Sequence, residues 1–291
     1  MTDFTIITDE QIDPESPVTS ELMTALRDNV VAFAGQSVGA PVSNIAYDVQ
    51  VFTASGTWTK PSVAVTGDVV AIWCVGGGGG GLRNTSLSNS DHGGGGGGGA
   101  VVRLPDIDAL DSSYSVVVGA GGAGGVGSAG SGGSTSFGVG GVATSGVAPV
   151  YLLAQGGGGA SSNAGNGGGV FYGRSDNEQS LNSGNAEAYV FTFDGGRGGN
   201  QNGAGYPSVF GGGGGGGSDT FNGSAGGFSA HAGRGGQGTD TTGTAADYEV
   251  DGIFPGGGGG AVYRLLSGAS VGGSGADGVC VVMCFRGAYL T

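Results

Sequence analysis

Long stretches of consecutive glycine set the terms for this chain. Between Cys74 and Val102 the sequence reads CVGGGGGGLRNTSLSNSDHGGGGGGGAVV, with Gly76–Gly81 and Gly93–Gly99 on either side of residues 82–92. Further clusters fall at 119–125, 156–159, 167–169, 195–199, 211–217, 233–238 and 256–260, and glycine makes up 73 of the 291 residues. A glycine in regular structure costs roughly 0.5–1 kcal/mol more than alanine in lost backbone freedom. The whole complement therefore costs on the order of tens of kcal/mol, against a net stability of about 5–15 kcal/mol for a folded domain. An ordered chain of this kind needs an offsetting interaction that only glycine permits, and close approach of backbone to backbone is that interaction.

Disorder and collagen are the competing outcomes. Disordered chains combine low hydrophobicity with high charge, whereas this chain is 37% hydrophobic and 11% charged, with strongly apolar segments bracketing the glycines. No G-X-Y period runs through the clusters and there are only 8 prolines, which excludes a collagen triple helix. A glycine run readily adopts polyproline II geometry, three residues per turn, with peptide N–H and C=O groups pointing outward and no internal partners. Once buried, those groups must be paired. Runs lying side by side supply one another's partners, and a seven-residue run would be about 22 Å long. The expected product is a slab of main chain, with the non-glycine stretches thrown out as loops at its ends.

The rest of the sequence supplies strands and one helix. VVAIWCV at 69–75 and VCVVMCF at 279–285 are apolar on both faces, the signature of central strands, and they are expected to share one sheet. DVQVFTASGTWTKP, AVVRL at 100–104 and SYSVVVG at 113–119 add further strands. Near the N-terminus, Ser16-Pro17 reads as an N-cap and first helical residue, and Gly35 as a stop. Met23, Leu26, Val30 and Phe33 recur at three, four and three residues along the helix between them, one apolar stripe suited to docking on its own domain or on another chain. The fold class expected is mainly β with polyglycine II helices: a small antiparallel sheet or sandwich beside a bundle of glycine-rich helices of polyproline II type, preceded by a short N-terminal α-helix. Residues 1–47 form the helical segment and 48–291 the glycine-rich domain.

Charge and chemistry narrow the function classes. A net charge of −14, with Lys60 the only lysine, disfavours nucleic acid and anionic membrane surfaces as partners. The N-terminus lacks a signal-peptide pattern and no apolar run reaches the length of a membrane span, so a soluble protein made in a cytoplasm, with no membrane insertion, is expected. Cys280 and Cys284 lie about 13 Å apart along one strand and cannot bridge each other; Cys74 could pair with either, or all three could be buried thiols. His92 and His231 have no ligand set at metal spacing, and the only lysine precedes Pro61, which rules out a phosphate loop. DYEVDG at 247–252 begins like a calcium loop, but its twelfth position is Gly258. No cofactor, no metal and no catalytic residue is expected. A depolymerase would need paired carboxylates, and acids such as Asp194 and Asp219 show no spacing that selects them.

With these residues in view, a resemblance can be named. FTASGTWTKP, then DVVAIWCVGGGGGG, then repeated glycine clusters and a closing GADGVCVVMCF resemble, in their order, the glycine-rich domain of bacteriophage tail fibre proteins and tail-tip adhesins. The resemblance implies a polyglycine II bundle beside a small sheet, with distal loops contacting a host-surface receptor. It also implies that the N-terminal segment attaches the domain to other virion tail proteins. A virion protein of the tail fibre or tail tip follows, binding a host surface glycan or an outer-membrane protein, and compatible with a homotrimer. A capsid decoration or head fibre protein of the same fold is the alternative within the virion. An ice-binding or matrix-like protein would need a flat, regularly spaced face, which the irregular insertions oppose.

If the runs alternate out and back from the sheet, residues 82–92, 160–166, 200–210 and 239–255 emerge at the far end. They carry Asn84, Asn89, His92, Asn163, Tyr206, Phe210, Tyr248 and Phe254, amides and aromatics of the kind that recognition loops use. Counting one run differently moves the site to 170–194 and 218–232, with Phe171, Tyr172, Tyr189, Phe221 and His231. For any one aromatic, packing against the slab competes with recognition. Arg197 and Arg234, isolated within glycine clusters, are expected to extend from the bundle surface and pair with Asp, or to contact a glycan or phosphate.

Overall fold

The computed structural model describes Thr24, Ala25, Asp28 and residues 46–83, 94–138, 152–161, 170–171, 189–193, 195–199, 203–218, 223–239, 250–262 and 271–286. Among them the strands are β1 (Ala46–Phe52), β2 (Gly56–Thr59), β3 (Val69–Val75), β4 (Leu82–Arg83), β5 (Ala100–Leu104), β6 (Ser113–Val117), β7 (Gly125–Val126), β8 (Thr135–Phe137), β9 (Leu152–Ala154), β10 (Val170–Phe171), β11 (Tyr189–Phe193) and β12 (Val279–Phe285). Among the described residues, helix is limited to a 3-10 turn at Ile107–Ala109 and to Thr24, Ala25 and Asp28.

The two apolar runs expected at the centre of one sheet are there, and pair antiparallel from Val69↔Phe285 to Val75↔Val279. Their sheet has the order β1-β12-β3-β5-β11, and a second sheet has the order β10-β9-β8-β6-β2. Every pairing in both is antiparallel. The inner faces meet as a sandwich: Val70, Ile72, Cys280 and Val282 of one sheet share a core with Trp58, Phe137 and Leu152 of the other, all without exposed surface. Trp58 and Phe137 meet edge to face at 5.7 Å, and burial of each large side chain here contributes about 1.5–3 kcal/mol. The outer face of β3 is less enclosed than its sequence suggests, because Val69 and Trp73 remain half-buried. Cys74 and Cys280 stand opposite each other on β3 and β12 as free thiols, their sulfurs 3.3 Å apart and joined by a hydrogen bond from Cys74. Lys60 turns inward, donating to the carbonyls of Ile107 and Leu110.

Beyond the sandwich, strand after strand continues into a glycine segment. The 76–81 run, which extends β3, is surrounded on all sides by main chain. Its N–H groups donate in rotation to three segments: Gly76 to Gly99 at 2.9 Å, Gly77 to Gly133 at 2.9 Å and Gly78 to Ala276 at 2.8 Å, with the next three residues repeating the cycle. Its carbonyls accept from three more, through Gly122, Gly157 and Gly259 at 2.8 Å each. The 211–217 run is enclosed in the same way, donating to Gly98, Gly233 and Tyr206 from Gly212, Gly213 and Gly214. The 256–262 run is enclosed likewise. A Cβ built on Gly78, Gly79, Gly213 or Gly258 would come closer than 3.0 Å to a carbonyl of a neighbouring segment, so no other residue fits there.

Segments at the margin show a different pattern. Along 119–126 the exposed residues are Ala120, Ala123 and Val126; along 271–278 they are Val271, Ser274 and Asp277; along 233–239 they are Arg234 and Gln237. One residue in three looks outward and carries a side chain, and the residues between face other main chain.

The sandwich is tied at the end remote from the glycines. Asp68, with no exposed surface, accepts from Tyr47 Oη at 2.9 Å and from Val65 N at 3.0 Å, and pairs with Arg286 Nη1 at 3.2 Å. The guanidinium of Arg286 lies 4.9 Å from the Tyr47 ring centroid. Burial, then the carboxylate charges of Asp48 and Asp68, push the Cys284 thiol up to about 12. Burial and the hydrogen bond to Asp68 raise the Tyr47 phenol as well. Both groups release their protons more readily from the unfolded chain. Their contribution is therefore complete at neutral pH and is lost as pH climbs above the ordinary thiol and phenol values. The unfolding free energy from urea titration is expected to be flat to about pH 8 and to fall above about pH 9, by as much as about 1.4 kcal/mol per pH unit for Cys284. Cys284→Ala combined with Tyr47→Phe should make that alkaline limb shallower, leaving the part due to Cys74, whose thiol is raised by its hydrogen bond to Cys280 and by burial.

Candidate functional site

The direction of each glycine segment decides which connections reach the end farthest from the sandwich. Gly76 follows β3 directly and pairs with Gly99, which precedes β5, so both mark the sandwich end; Gly81 and Gly94 mark the distal end. Gly212 pairs with Gly98 and Gly215 with Gly95, so 211–217 also runs outward. Followed in this way, the described residues flanking 84–93, 200–202, 219–222, 240–249 and 263–270 all lie at the distal end. The described turn Val126–Ala129, around Gly127 with φ 77°, lies there too. The sandwich end holds the turns at 208–211, 229–232 and 253–256.

This arrangement of strands that pass into packed glycine segments and return covers most of the chain. A family model described as a glycine-rich domain matches residues 52–285. The chain belongs to that family. Comparison with curated proteins gives no match.

Within the glycine-rich domain, three of the residues expected at the distal end can be placed. Tyr206 stands on the flank of the bundle, 58% exposed, its N–H bound to the Arg197 carbonyl at 2.8 Å. Phe210 and Phe254 lie at the sandwich end instead. Phe210 stacks on His231 with ring centroids 4.6 Å apart and packs against the patch formed by Val75 and Val279. Phe254, 48% exposed, precedes the cis Phe254-Pro255 bond at the turn into the 256–262 run. The physical reason for the correction is that 203–208 and 250–255 are bundle segments, not loops. Gly205 donates to Ala225, Ser208 to Phe228, Ile253 to Arg234, and the Val250 carbonyl accepts from Gly260. A segment at the margin needs glycine only where it faces main chain, so these glycine-poor stretches pass for loops in the sequence.

Asn84, Asn89, His92, Asn163 and Tyr248 lie outside the described residues, as do Met23, Leu26, Val30 and Phe33 of the N-terminal stripe. Of the alternative set, Phe171 falls in β10 and Tyr189 in β11, while Tyr172 and Phe221 lie outside the described residues. His231 is the stacking partner of Phe210. Asp251, from the segment that begins like a calcium loop, accepts from the Ser274 N–H at 2.7 Å. No cluster of three or more metal-ligating side chains occurs among the described residues. Phe228, 66% exposed on the same flank as Tyr206, was not singled out from sequence. Its signal was its position three residues after Ala225, the spacing at which a marginal segment looks outward.

Proposed function

We propose that this glycine-rich domain is the adhesive part of a phage virion structural protein at a tail fibre or tail tip. It would bind a host surface glycan or outer-membrane protein through the connections at its distal end. The glycine segments would be polyglycine II helices, and residues 1–47 would carry the helix that attaches the domain to other tail proteins. Two features support the helical reading: exposure that recurs every third residue, and hydrogen bonds that rotate through three neighbours before repeating, as a helix of three residues per turn requires.

The observation that carries the function is the convergence of the described residues that flank 84–93, 200–202, 219–222, 240–249 and 263–270 on one end of a main-chain lattice. The sequences of those connections are rich in Asn, Ser, Thr and Asp. A lattice that fixes the ends of each connection lowers the ordering cost of binding, and these sequences can vary without disturbing a core made of backbone. Competition with phage adsorption tests it. Purified wild-type protein should block adsorption, and replacing 240–249 with a Gly-Ser linker of equal length should weaken the block by about tenfold or more at an unchanged melting temperature. Undiminished competition by that variant, no competition by the wild type, or microscopy that places the protein on the capsid would overturn the assignment.

A further inference from the structure

We propose that Cys74 and Cys280 form a disulfide when the chain meets an oxidant, and that this bond staples the base of the glycine bundle. The two residues face each other in register across the central strands β3 and β12, with sulfurs 3.3 Å apart. Directly paired residues of antiparallel strands have Cα atoms about 4.5–5.5 Å apart, inside the range of about 4.4–6.8 Å that a disulfide spans. Bringing the sulfurs to bonding distance therefore asks for side-chain rotation and leaves the strand register alone. Cys284 is excluded. It pairs with Val70, about 13 Å along the strands from Cys74 and Cys280, beyond the reach of a disulfide.

The position of the pair gives the bond its effect. Val75 alone separates Cys74 from the 76–81 run, and Val279 alone separates Cys280 from the segment that ends at Gly278. Every described segment of the bundle lies between them in the chain, so one bond joins positions 206 residues apart. Such a bond restricts the unfolded chain, and does so more as the loop lengthens. This loop holds most of the 73 glycines, the residues with the most backbone freedom to lose.

Closure is a two-electron oxidation. With oxidised glutathione, the thiolate of one cysteine attacks the reagent disulfide and releases one glutathione thiolate. The second cysteine then attacks the mixed disulfide and releases the other. The protein gives up two protons and two electrons, and the reagent takes them up as two thiols. Neither cysteine has exposed surface, so exchange requires the strands to part. The bond should form slowly in the folded chain and readily during refolding, and once made it is shielded from reductant in the same way. A virion outside the cell, the setting proposed above, is oxidising; closure itself does not rest on that setting.

Refolding the full chain from urea in glutathione buffer with about a tenfold excess of the reduced form tests the site. Thiol counting in denaturant, peptide mapping and thermal melting are the readouts. Of the three thiols, only Cys284 should remain free, with Cys74 and Cys280 recovered in one linked pair of peptides. The closed chain should melt at least about 5 °C above the same chain after reduction. Cys280→Ala should abolish both the link and that difference, whereas Cys284→Ala should keep both. The comparison of the two redox forms of the wild type stands even if a variant fails to fold. Three thiols remaining, a link through Cys284 or between two chains, or a closed chain that melts no higher than the reduced one would overturn the site.

Discussion

Gly213→Ala combined with Gly214→Ala is expected to leave a chain that no longer folds cooperatively. Both positions are in the 211–217 run, which has main chain on every side. A Cβ on Gly213 would approach the Gly227 carbonyl, and one on Gly214 the Arg197 carbonyl, each closer than 3.0 Å. Backbone cannot rotate away as a flexible side chain can. Relief requires whole segments to separate, at the cost of the hydrogen bonds from Gly213 to Gly233 at 2.9 Å and from Gly214 to Tyr206 at 3.1 Å. Overpacking an ordinary core costs about 1–3 kcal/mol per site. Here each substitution should cost at least the upper end of that range, and the pair about as much as the net stability of a small domain. Urea denaturation followed by circular dichroism and near-UV absorbance of Trp58 gives the readout. Gln237→Ala and Ala225→Ser, at outward-looking positions of neighbouring segments, should stay within about 0.5 kcal/mol of wild type. A double variant that melts like wild type would mean that the runs are solvated tethers, and the lattice would be wrong.

The same geometry explains how the sequence encodes position within the bundle. The 76–81, 94–99, 211–217 and 256–260 stretches are uninterrupted glycine, and these are the stretches buried throughout. Stretches such as GAGGAGG at 119–125 and VGGSGADG at 271–278 admit another residue at every third place, and those places are the exposed ones. Purity of a run of five or more glycines thus reports enclosure, whereas the shorter run 156–159 is half-buried at Gly156, Gly158 and Gly159, and a period of three reports the margin.

That rule separates what could be read in advance from what could not. The pairing of Val69–Val75 with Val279–Phe285 was legible because apolar residues on both faces admit few alternatives. Packing of bare main chain was legible from the backbone cost of glycine. The margin was not. GAGYPS at 203–208 and VDGIFP at 250–255 carry too few glycines to look like runs, yet they close the lattice with hydrogen bonds and so move Phe210 and Phe254 to the sandwich end. The flank aromatics were obscured for a related reason. Tyr206 and Phe228 are neighbours only because two segments far apart in sequence lie side by side, and no local pattern records which segments become neighbours.

Asp68→Ala is expected to be the most damaging single change in the sandwich. The carboxylate is fully buried, and it joins the start of β1 through Tyr47, the turn before β3 through Val65, and the residue after β12 through Arg286. Removing it leaves a guanidinium with 16% side-chain exposure facing a cavity, beside a phenol and an N–H that have lost their acceptor. Breaking a buried pair from one side costs about 3–5 kcal/mol, because the surviving charge stays desolvated. Asp68→Asn keeps an acceptor for Tyr47 but turns charge attraction into a neutral contact, so its cost should be smaller, about 1–3 kcal/mol. Asp68→Ala with Arg286→Met, which removes both charges, should recover part of the loss; a double-mutant cycle in urea measures that coupling. The loss should also pass into the bundle. β3 continues without a break into the enclosed 76–81 run, and 271–278 leads into β12, so the sandwich cannot open while the lattice stays registered. One unfolding transition, shifted alike for Trp58 absorbance and for glycine amide exchange, is the outcome this coupling requires. A loss below about 1 kcal/mol, or a bundle that keeps its protection after the sandwich has melted, would show that the two parts hold themselves together separately.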